Sequence, residues 1–184
     1  SRPIDAELDT VLKYARGQIN VDKLIQDAVA ANKPLSKAAQ LYTLRNASVD
    51  DLLKLPASEA VYEAVLSRPN ASAKALRDAL TGLAKLRKAS TLPVLLTLIE
   101  QRDASGSTDA LAALGQLLAE QPATELKKIR TQLEKFATSG KELATRQLGY
   151  IAWIAADGSG DAAFFAASKS KNSLRDLLTA VPQI

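Results

Sequence analysis

The chain has 184 residues, 24 Lys and Arg against 20 Asp and Glu for a formal charge of +4, and no cysteine, histidine or methionine. Disulfides, thiolate zinc sites and thiol nucleophiles are therefore excluded, and the commonest general base and transition-metal ligand is missing. Hydrophobic residues make up 47% but aromatics only 4%, so the apolar content is mostly Ala and Leu, the best apolar helix formers.

Val, Ile and Thr occur singly inside helical patterns and never as alternating runs, which predicts an all-helical chain. Asp5 to Arg16 spaces Leu8, Val11, Leu12 and Ala15 as one stripe, with Gly17 as its stop. Val21 to Ala31 repeats the pattern and closes before Pro34, and Ser36 to Arg45 predicts a third helix. Ser48 and Asp51 fit the capping box of a short helix that Pro56 ends. Ser58 to Arg68 carries Val61, Tyr62 and Val65, and Ser72 caps the most regular stretch, Ser72 to Lys88. There Leu76, Ala79, Leu80, Leu83 and Leu86 crowd one side, opposite Lys74, Asp78, Thr81, Lys85 and Lys88.

Leu92 to Arg102 is the next helix, with Pro93 in its tolerated first turn, and Asp103 to Ser107 is predicted as a loop. Thr108 to Glu120 follows, then one long helix from Pro122 to Thr138 striped by Leu126, Ile129, Leu133 and Phe136. Glu142 to Asp157 is apolar almost all round at Tyr150–Ala155, the mark of an interior helix. Asp161 to Ser168 and a stripe of Leu174, Leu177, Leu178 and Val181 complete the chain. That stripe has no following helix to cover it, so a continuation in a parent protein or a partner is expected there.

Several stretches echo one another. Arg77-Asp78-Ala79-Leu80 returns as Thr108-Asp109-Ala110-Leu111 and as Arg175-Asp176-Leu177-Leu178. First helices of successive pairs are predicted to begin near 58, 92, 123 and 161, a spacing typical of two-helix repeats. Gly82, Gly115 and Gly149 fall inside helices at intervals of 33 and 34 residues. Glycine costs roughly 1 kcal/mol relative to Ala in a helix interior, so close helix approach is expected at each. The predicted fold is an α-solenoid of about 5 antiparallel helix pairs over residues 1–184 as one domain, with 1–56 less regular and 57–184 clearer. No apolar run reaches the roughly 18–20 residues of a membrane span. Residue 1 is not methionine, so any leader lies outside the sequence.

Arg77 to Leu86 and Asp109 to Gly115 resemble the second helix of HEAT and HEAT-like repeats. Asp51 to Pro56, Arg146 to Ser159 and Ala180 to Pro182 are similar to the helical region of large exported bacterial proteins that join it to c-type haem and sugar-dehydrogenase-like domains. The resemblance spans roughly residues 50–184 and implies a periplasmic or exported setting. A haem-attachment C-x-x-C-H signature is absent, so any redox chemistry of that family would reside outside this segment, and no cofactor is expected here.

Charge is distributed unevenly: residues 67–103 carry 7 Lys and Arg against 3 Asp and Glu, whereas the flanking stretches nearly balance. Lys74, Arg77, Lys85, Arg87 and Lys88 form the candidate partner-binding surface, for an acidic protein face or for phosphates. The plainer reading is a solvated helix face whose long side chains cover the apolar rim. No aromatic interleaves with these charges, which argues against single-strand stacking platforms.

Trp153 and Asp157, with Arg146 two turns earlier, loosely resemble HEAT-like DNA glycosylases that remove alkylated bases. The resemblance implies a carboxylate stabilising an oxocarbenium-like sugar while the indole holds the lesion. Against it, Trp153 is the only Trp and lies in the most apolar helix, and Asp157 directly precedes Gly158 as a helix end would. Asp157 to Asp161 supplies two carboxylates but lacks the later bidentate Glu of a calcium loop, and reads as a Gly-ended helix running into an Asp cap. The sequence therefore points to a non-catalytic scaffold that meets a protein partner or adjacent domains of a parent chain. A nucleic-acid binder or glycosylase-like enzyme is the competing class.

Overall fold

The protein, described by a computed structural model, has its placed residues at 36–183 together with 23, 24, 27 and 28. The helix expected over Asp5 to Arg16 lies outside them. Of the one expected over Val21 to Ala31, the four described positions are helical. The described residues are all-helical, with eleven α-helices, a closing 3-10 turn and no strand. None of these helices is long and apolar enough to cross a membrane.

The chain divides into two compact units, Ser1–Leu55 and Pro56–Ile184. The described part of the first holds α1 (Lys37–Asn46) and α2 (Val49–Lys54). Both begin on a serine whose hydroxyl accepts a backbone N–H three residues on: Ser36 from Ala39 and Ser48 from Asp51, each at 3.2 Å. The Ser48 hydroxyl also donates to Asp51 Oδ2 at 2.7 Å.

The second unit runs α3 (Glu59–Leu66), α4 (Ala73–Leu86), α5 (Thr91–Ser105), α6 (Thr108–Ala119), α7 (Ala123–Lys128), α8 (Arg130–Ser139), α9 (Leu143–Asp157), α10 (Asp161–Ala167) and α11 (Lys171–Ala180), then the 3-10 turn Val181–Gln183. Neighbours in sequence pack on one another: α3 on α4, α5 on α6, α7 and α8 on α9, and α10 on α11. The later member of each set also touches the next, α4 against α6, α6 against α9 and α9 against α11. The core is built from the predicted stripes. Leu76, Ala79, Leu80 and Leu83 of α4, Leu111, Leu114 and Leu118 of α6, and Tyr150 and Trp153 of α9 are all buried. Each fully buried Leu contributes about 2 kcal/mol of transfer free energy.

Two boundaries differ from the sequence reading. Residues 103–105, expected as loop, extend α5 by almost a turn, because the chain stops only at Gly106, whose left-handed backbone (φ 70°) closes the helix. The single helix expected from Pro122 to Thr138 is broken at Ile129 (φ −111°, ψ 15°), where the Ile129 N–H bonds back only three residues to Leu126. The break lets α7 and α8 both lie against α9, burying Leu126 from one and Leu133 and Phe136 from the other.

The start of α9 is capped from a distance. Glu142 makes no side-chain cap of its own. Instead Asp103 of α5 accepts the backbone N–H of Lys141 at 3.0 Å and of Glu142 at 2.8 Å. Burial pushes the Asp103 carboxyl up, but these two backbone donors, with the charge of Lys141 among the contributions beside them, bring it below the usual carboxylate range. A depressed folded value gives stability that is complete above the unfolded pKa of about 3.9 and is lost as pH falls through the folded value. Asp103→Ala is therefore expected to cost about 1 kcal/mol in urea unfolding at pH 7. The gap between variant and wild type should narrow toward pH 2, and an unchanged gap there would show the charge to be irrelevant.

The last helix is half covered. Leu177 and Ala180 are buried, whereas Leu178 and Val181, predicted on the same stripe, are 57% and 48% exposed.

Candidate interaction surface on the central helix

Helix α4 begins where the Ser72 hydroxyl accepts the Ala75 N–H at 3.2 Å. Its Leu-Ala stripe is buried against α3, α5 and α6, which fixes the helix rotation and turns the polar positions outward. Lys74, Arg77, Lys85 and Lys88 are all exposed. Lys74, Lys85 and Lys88 pair with no carboxylate among the described residues.

Arg87 does not join them. It closes α4 on the side facing α3, where its guanidinium meets Glu59 (Nε to Oε2, 3.0 Å) and Glu63 (Nη2 to Oε1, 2.5 Å). Two glutamates one turn apart on α3 thus consume the charge that the sequence assigned to the outer surface. Lys88 takes the left-handed backbone that usually falls to glycine (φ 51°). The Lys88 N–H bonds to Lys85 O at 3.1 Å and the Ala89 N–H to Ala84 O at 3.0 Å, so the last carbonyls of α4 are satisfied in a Schellman motif.

Arg77 reaches across to α6, its Nη1 3.2 Å from Glu120 Oε2, with both side chains partly in water (57% and 34% exposed). The pair lines an open groove of about 620 Å³ between α4, the start of α5 and the end of α6. Leu80, Thr81, Thr91, Leu117, Gln121 and Pro122 line it with them, the two leucines themselves buried. Of the predicted surface the structure leaves Lys74, Arg77 and Lys85 exposed on α4 and Lys88 exposed just past its end, and it adds a groove. No sequence signal marked the groove, because its two halves lie about 40 residues apart.

Comparison of the chain with family models, curated proteins and solved structures returns no match.

The residues of the enzyme-like reading are placed otherwise. Trp153 is 2% exposed, its indole N–H donates to Asp157 Oδ2 at 2.7 Å, and Tyr150 stacks on it with ring centroids 6.5 Å apart. The arginine beside them is Arg130 rather than Arg146. Arg130 Nε donates to both Asp157 oxygens at 2.9 and 3.1 Å, and its guanidinium lies 5.0 Å from the Trp153 ring centroid. This Arg130 hydrogen bond, opposed by burial and aided by Trp153, holds the Asp157 carboxyl below the usual range. Its oxygens are occupied, and the indole face offers no open slot for a base. Arg146 points to Asp176 instead, at 2.7 Å. The two carboxylates of the calcium-like loop also take separate partners, because Asp161 Oδ2 accepts from the Ser159 hydroxyl at 2.7 Å. Ser159, not Asp161, accepts the first N–H of α10, at 3.1 Å.

Proposed function

We propose that the chain is a non-catalytic, HEAT-like helical scaffold that binds an acidic protein face along α4. The observation that carries this reading is that Lys74, Arg77 and Lys85 stand exposed on a helix whose other side is locked into the core, with Lys88 exposed just past its end. Exposed cations on a rigid element, three of them lysines paired with no carboxylate among the described residues, attract an acidic partner without the entropy cost of ordering a loop. The succession of contacts α4–α6–α9–α11 supports a solenoid arrangement, in which each helix pair gives its neighbour a dry flank. The resemblance of Arg146 to Ser159 to the helical region of exported multidomain proteins supports a role beside other domains of a parent chain.

The test is a charge reversal at Lys74, Lys85 and Lys88 together, followed by affinity recovery of bound proteins from the native source. A folded triple variant should lose its acidic partner, and undiminished recovery would count against this surface. Duplex DNA measured at two salt concentrations examines the competing class, since a real set of phosphate contacts must give a steep salt slope.

A further inference from the structure

We infer that the exposed flank of α11 is a second docking place, which takes an amphipathic helix of a partner protein, one with a leucine stripe and an acidic end. This goes beyond the reading of α4 and does not depend on it.

The echo in the sequence identifies the flank. Arg77-Asp78-Ala79-Leu80 of α4 and Thr108-Asp109-Ala110-Leu111 of α6 align with Arg175-Asp176-Leu177-Leu178 of α11. Leu80, Leu111 and Leu178 then share one position, and Leu83, Leu114 and Val181 share another, three residues on. The α4 and α6 members of both sets are buried, at 4% exposure or less, whereas Leu178 and Val181 stand in water.

In α4 and α6 this flank meets the helices that follow. Leu80 lines a groove with Thr91 of α5 and Leu117 of α6. A methyl on Gly115, one turn past Leu111, would meet Leu148 of α9 at 3.2 Å. The other flank of α11 is already used, because Asp176, Leu177 and Ala180 are buried and Arg146 of α9 holds Asp176. What α11 leaves open is the side on which its echoes receive a further helix. Among the described residues of the second unit, four of the six exposed large apolar side chains lie at this end: Phe164 and Phe165 on α10, with Leu178 and Val181. Such a concentration marks an interaction face, whereas single exposed leucines do not.

Charge sets the partner. Lys171, Leu174, Arg175, Leu178 and Val181 fall on one helical stripe, with the cations toward its start and the aliphatic side chains toward its end. Lys169, Lys171 and Arg175 are exposed and pair with no carboxylate among the described residues. Lys169 Nζ lies 5.3 Å from the Phe165 ring centroid, so the aromatic side of the pair adjoins the same cations. The positive end of the α11 dipole adds to them. A second copy docked flank to flank would set these cations against their own kind, a juxtaposition that costs affinity. A nucleic acid would leave the aliphatic half wet.

The experiment uses the full chain and a fluorescein-labelled peptide of sequence EELEELLEQLAQLLQQL, with a counterpart in which every Leu is Gln. Binding is read by anisotropy. Melting temperatures are compared first, since substitution of an exposed side chain should leave them in place. The leucine peptide should bind at least about tenfold more tightly than the glutamine peptide. Leu178→Gln should weaken leucine-peptide binding by about tenfold, the factor set by one buried leucine. Arg175→Gln should weaken it by about two- to fivefold, an effect that shrinks as salt rises. Charge reversal at Lys74, Lys85 and Lys88 should leave it within about twofold, because the two surfaces act independently.

Binding lost on that reversal and unchanged in Leu178→Gln would put the peptide on α4, defeating this inference while supporting the α4 surface. A wild type that binds neither peptide defeats the inference as well, and the α4 reading keeps its own test. Self-association in sedimentation that Leu178→Gln abolishes would assign the flank to a second copy. Tighter binding to vesicles of anionic lipid than to the peptide would assign it to a membrane surface, and either result overturns the inference.

Discussion

Arg146→Leu is expected to lower the unfolding free energy by about 3–5 kcal/mol, the usual cost of leaving one partner of a buried ion pair alone. Asp176 of α11 is 3% exposed and its Oδ2 lies 2.7 Å from Arg146 Nε. The same guanidinium donates from Nη1 to Gly140 O at 2.9 Å and Lys141 O at 2.6 Å, so one side chain ties the α8–α9 turn to the last helix. Without it the carboxylate sits in a low-dielectric site with no cation. The buried Tyr150 hydroxyl does not replace a positive charge. Burial chiefly raises its pKa, so it stays neutral.

Equilibrium urea unfolding is the measurement, with the slope checked for constancy so that a shifted midpoint reports stability. The double variant Arg146→Leu/Asp176→Leu separates charge from packing. Removing both charges should recover most of the loss, because a matched apolar pair carries no desolvation penalty. A single-variant cost below about 1 kcal/mol would mean that water reaches Asp176.

Gly149→Ala is the second large effect, an expected loss of about 2–3 kcal/mol. In an unconstrained helix this change gains up to about 1 kcal/mol, so the sign itself is diagnostic. A methyl at Gly149 would run into the Ala137 backbone nitrogen, with Ala137 Cα and the Phe136 carbonyl carbon each at 2.8 Å. These are main-chain atoms of α8, a helix that Leu133 and Phe136 bury against its neighbours, and they yield only if the helix shifts.

Gly115→Ala is the control. There the added methyl meets a Leu148 side-chain carbon at 3.2 Å, which a small rotation relieves, so the change should be near neutral. Equal melting temperatures for the Gly149 and Gly115 variants would remove the argument for backbone contact between α8 and α9.

These glycines show how far local reading goes. Their interval marked all three as sites of close approach, and each does face a neighbour. The neighbour's nature, however, a Tyr62 ring at Gly82, a leucine methyl at Gly115 and bare backbone at Gly149, follows from helix rotation and separation. The long-range pairs tell the same story. Arg146 and Arg130 are both arginines on the approach to Asp157 in the sequence, yet Arg146 joins Asp176 and Arg130 joins Asp157 across 27 residues.

What the residues alone determined is the helical chain, most of its boundaries and the buried stripes. Leu periodicity is a property of a single helix, and the caps of Ser36, Ser48, Ser58 and Ser72 reach only three residues ahead. Only the tertiary structure decided that Asp103 caps α9, that Arg87 turns inward to α3, and that Arg77 and Glu120 meet at the rim of one groove. In each of these the two partners lie 24 to 43 residues apart. Whether they meet depends on how whole helices rotate and cross when their apolar faces pack, which no single stretch of sequence encodes.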